Sequence, residues 1–196
     1  LHNNRHSFPT RRSSDLGDMI ILELPMSVKM HTWEKNHNSV SVYYGPLTFS
    51  LLIKENYVRV PSDDTAIGDS KWQKGVDTEK WPSWEILPKT PWNYGLILNP
   101  DNPAASFTVT RRDWPEDDFP FTNDTVPIQL HAKGKQIEAW TLDQYGLCAP
   151  LQDSPVVSDA PEEDITLVPM GAARLRISAF PFISQGADGN VWQPEP

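Results

Sequence analysis

The chain has a single cysteine, Cys148, among its 196 residues, so no intrachain disulfide can form and a multi-cysteine metal site is excluded. One thiol suits the cytoplasm and a bacterial periplasm equally, and localisation stays open between them. Basic residues are also scarce, with 17 Lys and Arg against 26 Asp and Glu for a net charge of −9. Nucleic acids are bound by clustered Lys and Arg that displace counterions, so this balance argues against nucleic acid and against an anionic membrane as partners. No apolar run approaches the length of a membrane-spanning helix. Missing too are a three/four-spaced apolar stripe, the mark of a long helix, and any internal repeat.

What is present points to strands. Hydrophobic residues make up 38% and aromatics 10%, enough to build a core. Nineteen Pro against ten Gly favour short strands joined by stiff loops, because proline breaks helix interiors and sheet ladders alike. Eight Trp are many for this length. In 19–33, Leu22, Leu24, Met26, Val28 and Met30 alternate with polar residues, predicting a strand with one dry face and, at Pro25, an edge or bulge. Residues 39–55 predict two antiparallel strands, with a hairpin at 34–38 and a bend at Gly45. From residue 56 to about residue 92 the texture turns polar, with "SWEILP" its one periodic element. Strands are expected at 93–98 and 105–112, and a hairpin in 126–137 turning at Lys133, Gly134 and Lys135. A final pair is expected over 164–182, the second strand carrying Leu175, Ile177 and Ala179. The class is all-β, antiparallel β-sandwich material, with a composition break near residue 56.

Candidate chemistry is thin. His31, His37 and His131 never meet at metal-ligand spacing and read as structural or exposed. Cys148 has no base or cation close in sequence to generate a thiolate, so a small buried apolar role is expected. Glu116, Asp117 and Asp118 could serve acid/base catalysis or a weak calcium site, but crowded like charges between prolines favour a solvated loop. The strongest anomaly is the aromatic run Trp81, Trp84, Trp92 and Tyr94, which fits either a sugar-stacking platform or a loop plugged onto a core or a neighbouring domain.

Two stretches carry a resemblance. "GDMIILELPMSVKM" followed by "VSVYYGPLTFSL" resembles the run closing the middle β-sandwich of glycoside hydrolase family 127, the β-L-arabinofuranosidase-like proteins. "DITLVPMGAARLRISAFP" is similar to that family's terminal strands, and "TPWNYGL" fits a subset of its members. Together these cover roughly residues 17–183. The resemblance implies an accessory, non-catalytic β region, divided into terminal strands of a middle sandwich at 17–55 and a C-terminal sandwich-like domain at 56–196. Catalysis would belong to an (α/α) barrel of the same polypeptide, where a zinc-bound cysteine acts with glutamates. Cys148 matches no such motif, so no catalytic residue, cofactor or metal ligand is carried over. Trp81, Trp84, Trp92 and Tyr94 would then dock on that barrel or touch sugar. The alternative is a free-standing carbohydrate-binding module using these rings, with arabinan- or pectin-derived plant oligosaccharides as ligands. A complete small enzyme using the 116–118 carboxylates ranks third.

The leader "HSFPTRRSSDL" at 6–16 stands apart. Without Arg5, Arg11, Arg12 and Asp15 the remaining chain has 14 basic and 25 acidic side chains, a balance of −11. Pro9 interrupts it, and it forms no amphipathic stripe of a transit peptide. The string resembles a translated sequencing adapter joined to a contig. Residues 1–16 are therefore expected to be artefactual, with the upstream gene lost.

Overall fold

Runs of β-branched and aromatic residues, cut by Gly, Pro, Asn and Asp, produce nine strands among the described residues. The computed structural model describes residues 22–60, 77, 79–186 and 189. In chain order the strands are β1 (Val28–Trp33), β2 (Ser39–Tyr44), β3 (Leu47–Leu51), β4 (Glu55–Val60), β5 (Ser83–Pro88), β6 (Tyr94–Leu96), β7 (Thr108–Arg111), β8 (Ile128–Gln136) and β9 (Glu163–Pro169). Helical structure here is limited to 3-10 turns at Pro103–Ser106 and Met170–Ala172. The molecule is all-β, with antiparallel sheets curled into a half-barrel.

Seven strands form one sheet in the order β1-β2-β3-β9-β8-β6, with β7 also paired to β8. β8 is long enough for two partners on one side: β7 takes Ile128 to His131, and β6 takes Gly134 to Gln136. β4 and β5 make a separate two-stranded ribbon. The larger sheet thus draws strands from both sides of the composition change at residue 56.

Antiparallel partners share a face, and that decides where the core lies. Leu130 pairs with Leu167 and Ala132 with Ile165, so these point to the same side as Leu51, the partner of Leu167 in β3. That side buries Val40, Val42, Phe49, Leu96 and Phe180 in the main core. Burying one such leucine fully is worth about 1.5–3 kcal/mol. On the opposite face Val168 meets Val126, Ala172 and Ala173 in a small second cluster. A third holds Ile137, Trp140, Val156 and Ile183.

The 34–38 hairpin forms as expected, with His37 and Asn38 at φ 58° and 50°, and Gly45 at φ 57° makes the β2–β3 link a tight turn. Three expectations are corrected. The hairpin in 126–137 is a single continuous strand, β8. Gly134 is not a turn residue; it pairs with Leu96 on one side and Glu163 on the other. A Cβ there would lie 3.0 Å from both the Gly95 carbonyl and Ile165 Cδ1, so glycine permits close approach of neighbouring strands.

The strand expected over 19–33 begins only at Val28, and 19–21 lie outside the described residues. Leu22 and Leu24 are 76% and 71% exposed rather than on a dry face, since β2 has no residues opposite them. The second strand expected after Gly171 does not form either. β2 and β3 pair only beside their turn and then diverge. Residues 177–180 fill the gap, with Val40 N–H donating to Phe180 O and Leu51 N–H to Ile177 O. Their backbone bonds go to two different strands, so they join no regular ladder.

Candidate functional site

The face of the sheet turned away from the main core carries a cleft of about 780 Å³. Its floor comes from alternation along β8 and β9: Gln129 and His131 lie on the face opposite Leu130, and Thr166 is the cross-strand partner of His131. His131 Nδ1 sits 3.2 Å from Thr166 Oγ1. One wall is the base of the ribbon, with Lys54, Glu55, Tyr57 and Lys89, fastened where Lys89 N–H donates to Lys54 O at 2.7 Å. The remaining walls are Arg112, the 122–124 turn and Arg174.

Hydrogen bonds fix these polar groups. Arg112 donates through Nη2 to Gln129 Oε1 at 3.0 Å and through Nη1 to Asp124 O at 3.4 Å. Gln129 is itself buried, so it is a rigid anchor for the guanidinium. The Glu55 side chain is only 11% exposed and accepts from the Arg174 backbone N–H at 3.2 Å, with the Arg174 guanidinium 4.0 Å away. Tyr57 donates to Glu55 at 2.6 Å, and this bond pushes the Tyr57 hydroxyl pKa up from its ordinary value. Asn123 donates to Ile53 O at 3.2 Å and ties the turn to the strand end.

The four aromatic residues singled out from sequence are not brought together. Trp81 and Trp84 are 59% and 52% exposed at the ribbon, where Lys80 Nζ lies 5.8 Å over the Trp81 ring. One ribbon face presents Glu55, Tyr57 and Arg59 opposite Pro88, Ile86 and Trp84. Tyr57, 46% exposed, meets Trp84 edge-on at 6.5 Å between ring centroids. Trp92 and Tyr94 belong instead to the body of the protein. Trp92 packs between the main and third clusters, and Tyr94 is buried with its hydroxyl donating to Glu163 at 2.9 Å. Burial first, and then that bond, push the Tyr94 pKa up to about 12.

The other candidates are dispersed. His31 stands edge-on to Trp33, and His37 Nδ1 lies 2.8 Å from Asp153 Oδ1 on the surface. Asp117 and Asp118 serve their own loop, accepting from Phe119 N–H and Trp114 Nε1–H at 3.1 and 2.6 Å, while Glu116 is exposed. Cys148 is exposed, which corrects the expected burial. It lies on a projecting turn held by Asp143, whose carboxylate accepts from Tyr145 N–H and Leu147 N–H. Among the described residues no three His, Cys, Asp or Glu side chains converge to hold a metal ion, and no helix is long and apolar enough to cross a membrane.

The cleft is what sequence reading missed. Its cations are far apart along the chain, but Lys54, Lys89 and Arg112 each sit immediately beside a strand end, in an otherwise acidic sequence. Comparisons with protein-family models, with curated proteins and with solved structures gave no match.

Proposed function

We propose that the chain is a non-catalytic accessory β region of a glycoside hydrolase resembling the β-L-arabinofuranosidases, and that the β4–β5 ribbon is its contact with an (α/α) barrel catalytic domain of the same polypeptide. The observation that carries this reading is the ribbon's exposed aromatic face, Tyr57 and Trp84, on a sheet of two strands, with Trp81 also exposed just before β5. A two-stranded ribbon is marginal alone in water, and clustered exposed rings are a common mark of an interface. In a polypeptide joining this region to such a barrel, Tyr57→Ala with Trp84→Ala should lower the barrel's melting temperature and its activity on an arabinofuranoside. The isolated chain should not hydrolyse that substrate. Wild-type stability and activity in the double variant would refute the docking role.

A carbohydrate-binding module is the second reading. It is favoured by Tyr57 standing in both places, on the aromatic face and in the wall of the polar cleft. An aromatic ring beside fixed hydrogen-bonding groups is a common arrangement for sugars.

A further inference from the structure

The cleft has the opposite charge to the chain. Lys54, Lys89, Arg112 and Arg174 face Glu55 and Asp124 across it, an excess of two cations within a protein of net charge −9. Glu55 is already engaged by Tyr57 and Arg174. Lys54 and Lys89 have no carboxylate partner among the described residues. Arg112 is held by Gln129 and Asp124 O, with further N–H donors left over. The concavity therefore carries two more cations than carboxylates, with the Arg112 guanidinium held in place by hydrogen bonds. At its edge the Tyr57 ring, backed by Trp84, adds an apolar surface.

We propose that this cleft binds an acidic oligosaccharide, with a uronate carboxylate held by the Lys and Arg side chains and a sugar ring lying against Tyr57. A guanidinium matches the planar carboxylate with paired N–H donors, while the ammonium groups act as point charges. The aromatic face takes the C–H surface of a pyranose. A volume of about 780 Å³ is ample for a short oligosaccharide. The choice of a sugar over another ring-bearing anion rests on the carbohydrate-binding reading; the anion preference rests on the cleft alone.

Calorimetric titration of the 196-residue chain with trigalacturonate, arabinotriose and adenosine monophosphate tests the proposal. Trigalacturonate should give saturable heat at low salt, and its affinity should fall about tenfold or more at about 0.5 M salt. Arabinotriose should bind at least about tenfold more weakly. The paired change Lys54→Gln with Lys89→Gln should cut trigalacturonate affinity about tenfold while leaving the melting temperature in place. Should that variant melt early, the wild-type salt dependence decides alone. Absence of trigalacturonate binding, equal binding of arabinotriose, or tighter binding of the nucleotide would each overturn the proposal. None of these outcomes touches docking on a barrel, which is read from a different assay on a longer polypeptide.

Discussion

Trp92 packs edge-on against Trp140, their ring centroids 5.1 Å apart at 73°, and Trp140 Nε1–H donates to Ala149 O at 2.9 Å. This pair joins the main core to the third cluster, so Trp92 does structural work inside the domain. Trp140→Ala should cost about 3–5 kcal/mol, the range for emptying a fully buried aromatic site. Trp92→Ala should cost less, because its ring is half-buried. Trp84→Ala should stay within about 0.5 kcal/mol of wild type in the isolated chain. Urea unfolding of the three variants checks the order, and a large loss for Trp84→Ala would contradict the exposed ribbon face.

The Tyr94 hydroxyl is bonded to Glu163, which also accepts from Gln136 Nε2 at 2.8 Å. The folded chain holds the Tyr94 proton more firmly than the unfolded chain does, with its pKa raised from 10.0 to about 12. Its contribution to stability is therefore complete below the unfolded value and is lost as pH rises through the folded one. Tyr94→Phe should cost about 1–2 kcal/mol at neutral pH and flatten the alkaline fall in melting temperature. Thermal melts from about pH 8 to about pH 11.5 would reveal the difference in slope. Parallel curves would mean that Tyr94 ionises as freely in the fold as out of it.

Gly134→Ala should destabilise by about 1–3 kcal/mol, because the added methyl meets the Gly95 carbonyl and Ile165 in a packed region. Gly171→Ala is the control, since a Cβ there meets nothing within 4 Å. Equal chemical-denaturation midpoints for the two variants would contradict the close strand approach at Gly134.

Hydrogen exchange should follow the pairing. β8 lies between β9 on one side and β7 and β6 on the other, with Leu130, His131 and Gly134 paired on both sides, so its central amides should be the slowest. The β4–β5 ribbon has one partner per strand and should exchange faster, sooner than the main sheet opens. Ribbon amides as slow as those of β8 would contradict this order.

The local parts of the fold were legible because their causes are local. "SVSVYY" and "SWEILP" alternate within six residues, and the Asn-rich link at 34–38 supplies the backbone freedom its turn needs. Gly134 misleads for the opposite reason. "KGK" carries a turn signal, and only the two neighbouring strands explain the glycine. Residues 174–180 alternate correctly, yet their backbone partners lie on β2 and β3, which no short window contains. The cleft was illegible on the same grounds: Lys54, Lys89, Arg112 and Arg174 form no motif, and the topology alone makes them neighbours. Trp81, Trp84, Trp92 and Tyr94 made the reverse case, close in sequence but divided between a ribbon face and a core.

The seam filled by residues 177–180 also orders events during synthesis. Ser41 Oγ–H donates to Ser178 O at 2.8 Å across 137 residues of chain, and Val40 exchanges backbone bonds with Phe180. As the polypeptide leaves the ribosome, the splayed ends of β2 and β3 must wait with open hydrogen-bonding edges until residues 177–180 have emerged. Such late closure makes for slow folding, and until it happens those edges are open to pairing with neighbouring strands.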